Sequence, residues 1–240
     1  MKKAMLICVF AFLVVWCFNP EIMASHHKLH WGKAKMNSNS DSEVSLAKDI
    51  DSSGEEQYSI NFEIESEDES GSGGVTKIQI KSPKGKKMDL KNGLGLAEFG
   101  LESGDLSFED FQDMYPEGKY TVTLYPKSKY GSREFDLSYD FPSTPEITYP
   151  ENGATDLPLS FTVEWESYDD NVDFLALELE DEDGTVGFEV VLSSDTTSFL
   201  IPGGVLKPDT QYDMELLAHR FSDGIEHDTI RSIVITTGAE

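Results

Sequence analysis

The chain of 240 residues has little cysteine, few basic residues and no long helical pattern. Its two cysteines, Cys8 and Cys17, both lie in one apolar run near the start of the sequence. If that run is removed, the remaining chain has no thiol. This excludes a disulfide scaffold, a cysteine nucleophile and a thiolate metal site. The absence of a long amphipathic helical pattern predicts β structure in one or two domains.

Basic residues are scarce, since 19 Lys and Arg stand against 45 Asp and Glu, for a net charge of −26. Residues 146–240 hold 3 basic and 22 acidic residues, whereas residues 55–145 hold 10 and 18. Such a surface repels phosphate backbones and anionic membranes, so we expect no nucleic-acid partner. The acidity indicates either simple solubility or the binding of divalent cations or a basic partner.

The one extended apolar run, residues 4–18, follows the basic pair Lys2 and Lys3. This order is typical of a secretory signal, and the run is shorter than the roughly 18 apolar residues of a spanning helix. We predict a signal peptide over residues 1–24, cleaved after Ala24, with Ser25 as the alternative. The mature protein is then expected in the periplasm or outside the cell, without membrane insertion.

Residues 25–54 are rich in Ser, Asn, Asp and Lys without a sustained period, which predicts a flexible linker. This segment contains the histidines His26, His27 and His30. After cleavage at Ala24, the new terminal amine, two amide nitrogens and the His27 imidazole could together bind Cu(II) or Ni(II) in a plane, and the alternative is a solvated tail.

Residues 55–143 are predicted to form a small β domain with one short helix. Tyr58, Ile60, Phe62 and Ile64 alternate with polar residues, as in a half-buried strand. The segment 107–114 departs from this alternation: its Ser suits an N-cap and its apolar residues recur every three positions.

Residues 144–240 are predicted to form a seven-stranded sandwich. The motif Leu206-x-Pro208-x-Thr210-x-Tyr212 describes a tyrosine corner, in which the phenol is hydrogen-bonded to upstream backbone. This motif, together with Trp165 on an early strand, resembles a fibronectin type III domain. The resemblance implies an immunoglobulin-like sandwich.

The string Tyr115-Pro116-Glu117-Gly118, followed by Phe141-Pro142 leading into the sandwich, resembles an arrangement in exported bacterial proteins. In that family a small β domain precedes one fibronectin type III domain, and no reaction or ligand is assigned to it. The resemblance therefore implies an all-β fold of two β domains in tandem. It brings no catalytic, cofactor-binding or metal-binding residue with it.

Two acidic clusters and two histidines are the candidate functional residues of the sequence. The clusters comprise Asp169, Asp170 and Asp173, and Asp181, Glu182 and Asp183, at opposite ends of one predicted strand. Calcium at either cluster is one hypothesis and solvated loop charge is the other. His219 and His227 lack an accompanying Gly-x-Ser-x-Gly elbow, so we predict no enzyme and no cofactor.

The expected function is a secreted or periplasmic binding module, monomeric, whose ligand is a protein or a polysaccharide. One alternative is a calcium-dependent structural or adhesive surface protein, and another is an accessory of a secreted enzyme system. A row of exposed aromatic residues would favour carbohydrate. Tyr125, Tyr130 and Tyr139 are the candidates, although tyrosine on strands is often ordinary packing.

Overall fold

The computed structural model describes residues 34–37, 40–66, 75–96, 98–103, 105–125, 131–167, 171–181 and 186–239. Several predicted features lie outside these residues: the signal peptide, the histidines near residue 26, Asp169, Asp170, Glu182, Asp183 and Tyr130. The regular structure of the described residues consists of sixteen strands and one short helix, which confirms the all-β prediction.

The C-terminal half is a sandwich of two sheets. Its strands are β9 (Ile147–Tyr149), β10 (Ala154–Leu157), β11 (Thr162–Trp165), β12 (Phe174–Asp181), β13 (Val186–Ser193), β14 (Ser198–Leu200), β15 (Gln211–Ser222) and β16 (Ile225–Thr237). The order β14-β11-β9 makes one sheet, and β13-β12-β15-β16 belongs to the other. Three strands therefore face four, as expected of the predicted seven-stranded immunoglobulin-like sandwich, while β10 adds a short parallel pairing to β16.

Alternation builds the core of this sandwich. Leu175, Leu177 and Leu179 of β12 are fully buried, while the residues between them point away. Trp165 is also buried, and its indole N–H donates to the Thr196 carbonyl at 2.8 Å. The Tyr212 hydroxyl accepts a hydrogen bond from the Lys207 backbone N–H at 2.8 Å, which confirms the tyrosine corner.

The N-terminal half contains eight strands and one helix among the described residues. They are β1 (Ala34–Asn37), β2 (Ser40–Ile50), β3 (Glu56–Ser66), β4 (Val75–Lys81), β5 (Lys87–Leu96), β6 (Glu98–Glu102), α1 (Phe108–Met114), β7 (Gly118–Tyr125) and β8 (Ser132–Leu137). Strands β5-β4-β7-β8 form a separate sheet. The predicted short helix is confirmed, and the Ser107 side chain caps it by accepting from the Asp110 N–H.

The prediction of a flexible linker over residues 25–54 is wrong for the part that the structure describes. Strand β2 pairs antiparallel with β3 and parallel with β16, where Ser45 lies opposite Glu226 and Ile50 opposite Arg231. The four-stranded sheet of the sandwich is thereby continued by β2, β3 and β6 into one large sheet. Each half nevertheless has its own core, and the boundary at residue 143 stays a prediction.

The hairpin of β15 and β16 also joins the two halves. Its strands run on to Ser222 and Ile225 around the turn Asp223-Gly224, where both turn residues have positive φ. Ile225 is buried in the N-terminal core, and the Arg133 guanidinium donates to the Gly224 carbonyl at 3.0 Å. The hairpin tip is therefore part of the N-terminal packing.

Candidate interaction surface

One face of the large sheet covers both hydrophobic cores, and the opposite face, here called the outer face, carries the alternate residues. Along β12 the outer positions include Glu178 and Glu180, and along β15 they include Asp213 and Glu215. Strand β2 adds Asp49, which lies opposite Ile230. No lysine or arginine occupies an outer position that the structure describes on β13, β12, β15, β16 or β2.

Three of these carboxylates stand directly opposite one another across neighbouring strands. Glu189 of β13 pairs with Glu178 of β12, and Glu178 pairs with Glu215 of β15. Next in the same row is Ser232, whose hydroxyl donates to Glu215 at 3.2 Å. We call Asp49, Glu178, Glu180, Glu189, Asp213 and Glu215 the acidic face. Like charges at strand spacing of about 4.8 Å repel, so this arrangement lowers the stability of the isolated fold.

The electrostatic cost appears in the pKa values of the central carboxyls. Burial, followed by the charges of Glu189 and Glu180, raises the pKa of Glu178 to about 7. Burial, followed by the charges of Asp49 and Glu178, raises the pKa of Glu215 to about 7, against the effect of the Ser232 hydrogen bond. Burial is also the main cause that raises the pKa of Asp49 to about 6. A neighbouring cation would favour the ionised forms.

The acidic face has an apolar residue at its edge. Strand β13 is the last strand of the large sheet, and Val191 lies two residues from Glu189 on the same side of it. The Val191 side chain is 48% exposed, one of few large hydrophobic side chains so open among the described residues.

The described members of the two predicted calcium clusters are engaged elsewhere. The Asp173 carboxylate accepts from the Phe221 N–H at 2.6 Å, and the buried Asp181 binds the Lys207 ammonium at 2.6 Å. They lie at the two ends of β12, as expected. In the described part of the chain, no three His, Cys, Asp or Glu side chains converge as a metal site would require.

The candidate tyrosines that the structure describes are engaged in other contacts. The Tyr125 ring lies under the Lys77 ammonium, 5.0 Å from its centroid. Tyr139 packs within the aromatic cluster beside Phe108 and Phe111, and its hydroxyl donates to the Tyr115 carbonyl at 2.8 Å. These two rings do not make a shared platform for a sugar.

Both histidines of the sandwich are buried. The His219 Nδ1 lies 2.8 Å from the Asp228 carboxylate, and its ring stacks on Phe174 at 4.2 Å. The His227 Nε2–H donates to the Ser138 carbonyl at 3.0 Å, and burial lowers the pKa of His227. Among the described residues, the second nitrogen of each ring has no hydrogen-bond partner. No serine hydroxyl in this part of the chain therefore completes the arrangement that nucleophilic hydrolysis needs.

The acidic face was missed by the sequence analysis, although part of its signal was present. Glu178 and Glu180, and Asp213 and Glu215, occupy alternate positions opposite apolar residues on two predicted strands. Their alignment in one row depends on register across strands, and Asp49 joins them only through the pairing of β2 with β16.

No described helix is long and apolar enough to cross a membrane. The chain matches no family profile and no curated protein. Among solved structures it is similar to a two-domain fibronectin type III segment of chicken tenascin, with 16% identity, 75% of this chain and 92% of that chain covered, and a TM-score of 0.31.

Two further structures are similar at the same level. The FN1–FN3 domains of chicken CNTN1 show 14% identity, cover 82% of this chain and 68% of that chain, and give a TM-score of 0.36. The BSP domain of a biofilm associated protein shows 17% identity over 82% of this chain and 29% of its own, with a TM-score of 0.25. The fold assignment here rests on strand order and register instead of these likenesses.

Proposed function

We propose that the protein is a non-enzymatic binding module, exported from the cytoplasm, that holds a cationic protein surface against its acidic face. The single observation that carries the proposal is the outer face of the large sheet, which bears the acidic face and has no lysine or arginine at its described positions on five adjacent strands. Export is inferred from the basic and apolar start of the sequence.

The arrangement of charge favours a basic partner. Burial and neighbouring carboxylates raise the pKa values of Glu178, Glu215 and Asp49. Ionisation of these groups near neutral pH therefore lowers the stability of the fold. Lys or Arg side chains placed over the row would neutralise this repulsion, and a potential of one sign over a broad surface would also speed encounter.

The shape of the face favours a protein over a sugar chain. A sheet surface is broad, as are many protein interfaces, and Glu189 and Asp213 are exposed on this one. Recognition of sugars by stacked aromatic rings would need open platforms, whereas the described Tyr125 and Tyr139 are already engaged.

The proposal is tested by isothermal titration with a decalysine peptide at 0.15 M salt. The face variant Glu178→Gln, Glu189→Gln, Glu215→Gln is compared with a control variant, Asp113→Asn, Asp136→Asn, Glu146→Gln, which removes the same number of charges from exposed positions elsewhere. We expect the face variant to weaken binding at least tenfold more than the control, because only it removes the aligned row.

Equal weakening by the two variants would mean that the peptide responds to net charge alone, and it would overturn the proposal. Thermal unfolding of both variants provides the check that each retains the native fold. We expect the face variant to unfold at the same temperature as the wild type or above it, since it relieves repulsion.

A further inference from the structure

The turn between β4 and β5 concentrates positive charge in a strongly acidic chain. Lys81, Lys84, Lys86 and Lys87 are all exposed, and none makes an ion pair with another described residue. The turn is well held: the Ser82 N–H donates to the Lys86 carbonyl at 2.9 Å, and the Lys86 N–H donates to the Ser82 hydroxyl at 3.1 Å. We call residues 81–87 the lysine hairpin.

An apolar crevice opens beside the lysine hairpin. Ser82 and Lys86 form part of its wall, and the remainder comes from apolar and aromatic side chains: Phe62, Ile80, Met88, Met114, Tyr115 and Tyr120. Its volume of about 40 Å³ is about three times the 10–15 Å³ that one water needs by the same measure, so it admits one small aliphatic group and no long acyl chain. The two methionines can adjust to such a side chain, since Met is flexible and polarisable.

The acidic face offers a matching group at its edge. Val191 is exposed on the outer face of β13, with Glu189 two residues away and Glu178 paired to that glutamate on the next strand. Its isopropyl group is of the size that the crevice admits. With Val191 in the crevice, the ammonium groups of the lysine hairpin would lie over the carboxylates that flank it.

These two surfaces lie on opposite sides of the large sheet. Strands β4 and β7 pack on the N-terminal core through Ile78, Ile80 and Val122, and this core lies on the inner side of β2 and β3. The lysine hairpin therefore lies on the inner side of the sheet, whereas Val191 and Glu189 lie on the outer side. One molecule cannot bring its own two surfaces together, so the contact would join separate copies.

We propose that the protein associates with itself head to tail, with the lysine hairpin and crevice of one copy seated on Val191 and Glu189 of the next. This inference rests on the proposed function, because it names a second copy as a partner of the acidic face. The two contacting patches differ, so the association is heterologous and does not stop at a dimer unless it closes into a ring. Its small area places it among weak interfaces.

Salt has two opposing effects on such an association. The net charge of −26 repels other copies at low ionic strength, and at 0.15 M the Debye length of about 8 Å screens this long-range repulsion. The close lysine–carboxylate contacts persist there and are weakened at higher salt. We therefore expect association at 0.15 M that decreases at 0.5 M.

Sedimentation velocity of the full chain at rising concentration tests the proposal. The hairpin variant Lys84→Gln, Lys86→Gln and the edge variant Glu189→Gln, Val191→Ser each remove one of the two patches. We expect the wild type to form species larger than dimers, each variant alone to stay monomeric, and an equal mixture of the two to form dimers only. Lys119→Gln, at a lysine paired with Glu134 elsewhere, is the control and should behave as the wild type.

Two outcomes would overturn the inference: a wild type that stays monomeric at these concentrations, or association that neither variant reduces. The decalysine titration separates this failure from failure of the proposed function. Peptide binding to the acidic face of a monomeric wild type would leave the function standing and exclude only the second copy as its partner.

Discussion

The two hydrophobic cores are filled by different kinds of side chain. The C-terminal core is mostly aliphatic, with Leu175, Leu177 and Leu179 of one strand fully buried around a single indole. The N-terminal core is richer in aromatic rings, with six among its sixteen buried residues against three of sixteen, and its rings touch one another. Tyr120 stacks on Phe135 at 5.4 Å, and other contacts link the helix to β3. Both cores lie against one continuous sheet.

The difference shows two ways of making a β unit without disulfides. The aliphatic core follows from strict alternation on strands that pair locally. The N-terminal core needs a helix to supply Phe111, a hairpin tip from the other half to supply Ile225, and a parallel strand to supply Leu46. Because the N-terminal core contains a residue from the C-terminal half, we expect the two halves to unfold together.

Loss of a large core side chain in either half should have the largest effect. Trp165→Ala and Phe111→Ala each leave a cavity that costs about 3–5 kcal/mol. For a chain of this size, we expect the unfolding temperature to fall by roughly 10 °C in a single calorimetric transition. Two separate transitions, with only one shifted by each variant, would mean that the cores are independent.

The β15–β16 hairpin contributes to both cores, so substitutions along it should affect different halves. Ile225→Ala should cost about 2–5 kcal/mol, like Ile233→Ala within the sandwich core. Hydrogen exchange distinguishes the two: Ile225→Ala should speed exchange in β2, β7 and β8, whereas Ile233→Ala should act mainly on β11 and β12. Identical exchange patterns would contradict a bridging role for the hairpin tip.

Each half also has a buried tyrosine whose hydroxyl bonds to backbone. Tyr212→Phe leaves the Lys207 N–H without its acceptor, and Tyr120→Phe leaves the Pro116 carbonyl without its donor. We expect each substitution to lower the free energy of unfolding by about 1 kcal/mol. The effect should be larger for Tyr212→Phe, because a buried N–H without an acceptor is less well tolerated than a carbonyl that has two lone pairs. Urea unfolding measures both losses. An unchanged free energy of unfolding for Tyr212→Phe would show that the tyrosine corner does not stabilise the fold.

The smallest effects concern pH and should have opposite signs in the two halves. The pKa of Glu215 is raised when folded, so its contribution to stability is present at acidic pH and is lost as pH rises through about 7. Glu215→Gln should therefore stabilise the fold at pH 8 and have little effect at pH 5. Thermal unfolding at the two pH values measures this difference, and a stabilisation that is equal at both would contradict the raised pKa.

Asp51 provides the opposite case. Hydrogen bonds from the Ser53 hydroxyl and the Glu55 N–H lower its pKa, so its contribution is present above the ordinary carboxyl pKa and is lost as pH falls. Asp51→Asn should destabilise the fold slightly at pH 7, and the deficit should vanish near pH 3. A deficit that is constant with pH would exclude this electrostatic origin.

Much of the sandwich could be predicted from local patterns. The spacing from Leu206 to Tyr212 indicated the corner, and the alternation along β12 indicated the buried face. Ser107 similarly indicated the start of the helix. Each of these features depends on neighbours in sequence, which is the information that periodicity contains.

What could not be predicted depends on pairing between distant segments. Val44, Leu46 and Ile50 alternate within the supposed linker, but their partner strand is near the other end of the sequence. The Asp223-Gly224 pair favours a two-residue hairpin turn, but the packing of the hairpin tip on the N-terminal core depends on contacts between distant segments. Predicting the acidic face would have required both the register between strands and the position of β2. Composition therefore indicated the negative charge but not where in the fold it lies.

The parallel pairing of β2 with β16 joins residues about 180 positions apart in the sequence. During synthesis β2 emerges long before β16, so the backbone groups on that side of β2 stay unpaired while the whole sandwich is made. Such long-range pairing slows folding and leaves an exposed strand edge in the meantime. We therefore expect the N-terminal half to mature after the C-terminal half, against the order in which the ribosome produces them.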